Sequence, residues 1–158
     1  MAMNEQPLLV LVSGLPGSGK TTLAQKLETE LGAIRMSPDE WMTAFAIDLY
    51  DSDRRERIES FQLGLALKLL ERGQAVIIEW GTWSRSERDA LRIAAQRSGA
   101  RVHLHFLHAS ADILFERLQK RGMENPPIPY GDVLKWFDVI EIPSEDEVAL
   151  YDHAAVGV

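Results

Sequence analysis

The segment Gly14-Leu-Pro-Gly-Ser-Gly-Lys-Thr-Thr22 restricts the fold more than any other stretch, because of what stands on either side of it. Ahead of it, Leu8-Leu-Val-Leu-Val12 is an unbroken apolar run, the pattern of a strand buried on both faces of a parallel sheet. Behind it, Leu23, Ala24, Leu27 and Leu31 keep helical spacing over residues 21–31, and Gly32 can take a left-handed C-terminal cap. A strand, a glycine-rich loop and a helix in this order make an anion site. Loop N–H groups and the partial positive charge of the helix N-terminus converge on one point.

The spacing Gly14-x-x-x-x-Gly19-Lys20-Thr21 is the Walker A pattern, in which the lysine reaches the β and γ oxygens of a bound purine nucleoside triphosphate. A turn that merely joined strand to helix would have no use for that lysine. The expected nucleotide-binding set is Gly14, Pro16, Gly17, Ser18, Gly19, Lys20, Thr21 and Thr22, with Thr21 giving its hydroxyl to Mg²⁺. Magnesium needs a second anchor, and a carboxylate closing a neighbouring buried strand is suited to it. Glu79, at the end of Ala75-Val-Ile-Ile-Glu79, has that place; its plainer reading is a cap on the following turn.

Further along, residues 33–37 form a short strand leading into Ser37-Pro-Asp-Glu, a helix start with Ser as N-cap and Pro at the first position. That helix is expected to run through Ala46. A long helix over residues 54–72 should turn Ile58, Phe61, Leu65 and Leu69 inward and stop at Gly73. Helices over residues 86–98 and 110–121, closed by Gly99 and Gly122, enclose a strand over residues 101–108. Residues 123–131 hold Pro126, Pro127 and Pro129, which excludes a regular helix and suggests a lid or loop. A helix near residues 132–138 and a fifth strand at 154–158 complete the pattern. Alternating strands and helices predict a three-layer α/β sandwich, with ligands at the carboxyl ends of the strands.

With 158 residues, of which 46% are hydrophobic and 26% charged, one domain spanning 1–158 is the simplest organisation. The net charge of −7 and pI near 5.1 argue against nucleic acid as the main partner, since such binding rests on a basic stripe. The absence of cysteine removes disulfides, thiolate zinc sites and cysteine nucleophiles. The start, Met-Ala-Met-Asn-Glu-Gln-Pro, lacks the features of a signal peptide, and no run is long enough to cross a bilayer, so a cytoplasmic protein is expected.

Taken together, Gly14 to Thr22, Asp39-Glu-Trp41, Glu79-Trp-Gly-Thr-Trp-Ser-Arg-Ser-Glu-Arg88 and Arg117-Leu-Gln-Lys-Arg121 resemble the small P-loop kinases often labelled AAA-family ATPases. This is the group of polynucleotide 5′-hydroxyl kinase, chloramphenicol phosphotransferase, gluconate kinase and zeta toxin. The likeness covers nearly the whole chain. It implies a P-loop NTPase sheet of about five strands in the order 2-3-1-4-5, a lid near residues 117–131, and ATP with Mg²⁺. Asp39 matches the group's acceptor base, and Arg117 and Arg121 its lid arginines. The plainer readings are a helix-start acid for Asp39 and surface pairing with Glu116 or Glu124 for the arginines. Glu79 stands where many relatives carry Asp, so the division of labour between Asp39 and Glu79 as base stays open.

Residues after Glu79 should line the acceptor side: Arg85 and Arg88 to hold an anionic or hydroxyl-rich substrate, with Trp41, Trp80 and Trp83 as a flat wall. Equally ordinary roles are core packing for the tryptophans and a solvated helix face for the arginines. His103 and His105 share one strand face and read as structural. The expected function is ATP-dependent transfer of a phosphoryl group to a hydroxyl of a small molecule. The alternatives are a 5′-hydroxyl polynucleotide kinase and a nucleotide-dependent regulatory switch.

Overall fold

Strand β1 (Leu8–Gly14) lies at the centre of a five-stranded sheet in the order β2-β3-β1-β4-β5, with β2 at Ile34–Met36, β3 at Val76–Ile78, β4 at Arg101–Leu107 and β5 at His153–Gly157. All four pairings are parallel, as the apolar run of β1 requires. The computed structural model describes residues 5–157. Residues 1–4, part of the segment read for a leader, and Val158, the end of the expected last strand, lie outside them.

The helices are α1 (Lys20–Leu31), α2 (Pro38–Ala44), α3 (Ser52–Glu71), α4 (Arg85–Arg97), α5 (Ala111–Arg121), α6 (Tyr130–Val139) and α7 (Glu145–Val148). Their ends follow local chemistry. Ser37 Oγ accepts from the Glu40 N–H with Pro38 at the first position, Ser84 and Glu87 form a reciprocal capping box, and Gly32 and Gly122 close α1 and α5 in the left-handed region. One sheet face, from Leu9, Leu11, Leu104 and Phe106, packs on Ala66 and Leu70 of α3 and Leu91 and Ala95 of α4. On the other, Val10, Val12 and Ile77 meet Ala24 of α1. A third cluster, Leu15, Leu114, Leu118 and Val133, seats α5 and α6 beside the loop that follows β1.

Two expectations are corrected. Phe61 does not turn inward: it is 66% exposed, and the buried stripe of α3 is Gln62, Ala66 and Leu70. A polar residue sits on that stripe because the Gln62 side-chain carbonyl accepts from the Trp80 indole N–H at 3.0 Å, which disguises the helical period. Arg88 is not a surface cation. It is 0% exposed and makes a two-pronged pair with Glu147 at 2.8 and 2.9 Å, donates to the carbonyls of Thr82, Trp83 and Glu141, and stacks over Phe106. Glu147 belongs to α7, a short helix that the sequence reading did not anticipate.

Removing one partner of a buried pair leaves the other charge without water or counterion, at a cost of about 3–5 kcal/mol. Glu147→Ala should therefore lose about that much unfolding free energy in urea titrations. His103, His105 and His153 cluster on one face of the β4–β5 edge, with ring centroids 5.3 and 6.0 Å from His153. Desolvation first, then the neighbouring imidazole charges, lower the pKa of His103 and His105 from 6.5. On acidification the unfolded imidazoles take up protons before the folded ones, so stability should fall as pH drops through about 6.5 towards the lower folded values. Urea unfolding at about pH 7.5 and about pH 5.5 should show this loss, and a His103→Gln/His105→Gln double variant should reduce it.

Candidate functional site

The phosphate loop takes its shape from three backbone positions. Gly14 has φ 144°, and a Cβ there would lie 2.5 Å from the Leu107 carbonyl oxygen, so β1 and β4 can approach only with glycine at this point. Gly17 and Gly19 also have positive φ, at 82° and 100°. Gly19 is the N-cap of α1 and supplies no side-chain cap, leaving the first N–H groups of the helix open to an anion. Ser18 is buried, and its hydroxyl lies against Gly14. Pro16, Gly17, Gly19, Lys20, Thr21 and Thr22 line a cleft of about 1300 Å³.

Lys20 Nζ donates to the carbonyls of Gly14 and Leu15 at 2.9 and 3.1 Å. Desolvation pushes its pKa down to about 8, against the opposing pull of Glu79 and Asp39. An incoming polyphosphate would restore the charge that desolvation disfavours.

Glu79, only 6% exposed, is engaged at both oxygens: one accepts from Thr21 Oγ1 at 2.5 Å and the other from Arg35 Nη1 at 2.7 Å. The Thr21 hydroxyl and this carboxylate meet where Mg²⁺ would stand, a pair of hard oxygen donors suited to it. Among the described residues no group of three or more His, Cys, Asp or Glu could hold a metal. That fits an ion that takes its remaining ligands from phosphate and water. Arg35, unanticipated in the sequence reading, also pairs with Glu28 and Glu40. The signal was there in a cation placed inside the otherwise apolar Ile34-Arg-Met36.

Asp39, in the first turn of α2, faces the cleft, and its Oδ1 accepts from Arg55 Nη2 at 2.6 Å. Its second oxygen has no hydrogen-bond partner among the described residues. Arg55 comes from the first turn of α3 and was not foreseen, since only the packing of α2 on α3 brings it to Asp39. Arg117 and Arg121 both reach the cleft from α5. Arg117 Nη1 donates to the Gly17 carbonyl at 3.2 Å, while Arg121 pairs with Glu124.

The expected acceptor wall divides. Trp80 and Trp83 line the cleft, joined by Trp136 of α6, whose ring centroid is 6.0 Å from that of Trp83. Trp41 does not line it, but packs on the core cluster and on Phe61. Arg85 lies outside the lining and pairs with Asp89 within α4, and Arg88 is sealed beneath α7 as described above. Neither arginine is available to an acceptor.

These features define a P-loop NTPase fold, with the phosphate loop and the loop carrying Trp80 and Trp83 lining one cleft at the carboxyl ends of the strands. The model of the family described as AAA domain matches residues 9–132, and the chain belongs to that family. No curated protein matches it. Among solved structures, a gluconokinase from Sinorhizobium meliloti 1021 is 22% identical, with a TM-score of 0.62 over 97% of this chain and 83% of that one. Chaetomium thermophilum Kti12 in complex with ADP-AlF3 is 18% identical, with a TM-score of 0.69 over 96% and 88%. A chain of the Pnkp1/Rnl/Hen1 RNA repair complex is 24% identical, with a TM-score of 0.71 over 87% of this chain and 45% of that one. Such identities establish the shared fold.

A charge-assisted hydrogen bond contributes about 1.5–3 kcal/mol. Lys20→Ala should thus weaken MgATP binding by about 10- to 100-fold, as read by calorimetric titration. Unchanged affinity would mean that the loop does not hold a triphosphate.

Proposed function

We propose that the protein is an ATP-dependent phosphotransferase that moves the γ-phosphoryl group to a hydroxyl of a small molecule, with Asp39 as the base. The observation that carries this reading is the cleft itself. The phosphate loop, a half-free carboxylate, Asp39, and three tryptophans, Trp80, Trp83 and Trp136, line one cavity. A switch that only hydrolyses nucleotide has no need of an acceptor-sized chamber beyond the γ position.

In this mechanism Lys20 and the N–H groups of Gly17 to Thr22 would hold the β and γ oxygens, and Thr21 and Glu79 would hold Mg²⁺. The metal would supply Lewis-acid neutralisation of the phosphate charge. Asp39 orients the acceptor hydroxyl through its unpaired oxygen and receives the proton as the hydroxyl oxygen bonds to the γ-phosphorus and ADP leaves. Arg55 fixes the carboxylate's orientation. Glu79 is the weaker candidate for base, because both of its oxygens are already engaged. Arg117 and Arg121 are placed to neutralise the equatorial oxygens, with residues 117–131 of the single catalytic unit acting as the lid.

A small-molecule acceptor is favoured over an oligonucleotide by the net charge of −7, since polyanion binding rests on a basic stripe. Loss of a general base costs about 10²- to 10⁴-fold in rate. Asp39→Asn should therefore lower labelled γ-phosphoryl transfer from MgATP to a pool of hydroxyl compounds by at least about 100-fold, while MgATP affinity stays within about threefold. Transfer at the normal rate would remove Asp39 from the role, and release of free phosphate alone would favour the switch.

A further inference from the structure

Glu59 is a half-buried carboxylate of α3 that lines the same cleft, and it has no hydrogen-bond or ion-pair partner among the described residues. Every neighbouring cation is committed elsewhere. Arg55, one helical turn before it, is held by Asp39 and the Leu49 carbonyl, Arg35 is surrounded by three other carboxylates, and Arg88 is sealed against Glu147. Loss of water raises the pKa of Glu59, and the charges of Glu87 and Asp39 push the same way against Arg55. Glu87 is itself occupied, accepting from the Ser84 N–H in the capping box of α4. The cleft lined by Trp80, Trp83 and Trp136 therefore contains, in Glu59, a half-buried carboxylate with no partner among the described residues.

Resting on the kinase reading, we propose that the acceptor is a cationic amino alcohol with a flat apolar body: the body lies on the tryptophans, the ammonium meets Glu59, and the hydroxyl reaches Asp39. Glu59 is thus the residue that sets specificity for charge. A half-dehydrated carboxylate with no partner gains most from a guest that brings a cation and its own hydrogen-bond donors. The tryptophan faces attract the same cation by their quadrupoles and pack on its apolar body. An anionic acceptor such as a sugar acid meets a like charge at Glu59, and the arginine one helical turn before it, Arg55, is already held by Asp39.

The test uses three probes with one body and one hydroxyl: phenylalaninol, its neutral N-acetyl derivative and its anionic N-succinyl derivative. Binding to the full-length chain is measured by calorimetry near neutral pH, with and without Mg²⁺ and a non-hydrolysable ATP analogue. Phenylalaninol should bind at least about tenfold more tightly than the N-acetyl probe, with the N-succinyl probe weakest. In Glu59→Gln, nearly isosteric and checked for folding by its thermal melt, the three affinities should converge to within about twofold, and Glu59→Asp should restore part of the preference. Equal or reversed ranking in the natural chain, survival of the ranking in Glu59→Gln, or no binding by any probe overturns the proposal. Amine preference without nucleotide binding would instead sink the kinase reading and leave Glu59 as an amine-binding residue whose guest is not a phosphoryl acceptor.

Discussion

Arg88 has no water to turn to. Its guanidinium is satisfied only by Glu147 and by the carbonyls of Thr82, Trp83 and Glu141, so the loop after β3, the start of α4 and the segment leading into α7 are held around one cation. Isolated, that charge would be among the most costly groups in the molecule; with its donors used by fixed acceptors it becomes the point that determines where the loop runs. Trp83 sits on that loop and Trp80 just before it, so two of the tryptophans lining the cleft take their position from a buried ion pair.

The phosphate side is organised differently. Its geometry comes from backbone, with glycines where strands and loop must touch, and its electrostatics from charges that already have partners. Glu79 is held between Thr21 and Arg35, and Lys20 rests on two carbonyls. A phosphate group would replace the Gly14 and Leu15 carbonyls as partners of Lys20, while the glycine-shaped backbone keeps its place.

These two halves differ in how far the sequence disclosed them. The strand order, the glycine caps, the phosphate loop and the cleft-facing positions of Asp39, Arg117 and Arg121 follow from short-range spacing together with the family resemblance. The acceptor side was legible only in part. Trp80 and Trp83 were found because they follow Glu79 directly, whereas Arg88 was misread because Glu147 lies 59 residues further on, in a short helix with no apolar period. Arg55 and Trp136 escaped for a related reason: each enters the cleft through packing of one helix on another. Phe61 shows the opposite error, an apolar residue at credible helical spacing that lies just off a stripe occupied by Gln62.

One length of α3 carries Arg55, which donates to Asp39, then Glu59, which lines the cleft, then Gln62, which accepts from the indole of Trp80. The steps of four and three residues keep all three on one face of the helix, spread over about 10 Å at 1.5 Å per residue. A single inserted or deleted residue in that interval would turn one end by about 100° relative to the other and separate the partners of Asp39 and Trp80 from Glu59. The interval from Arg55 to Gln62 can therefore change by exchange of side chains but not by length, whereas the proline-bearing residues 123–131, outside any such register, can change length without turning that face.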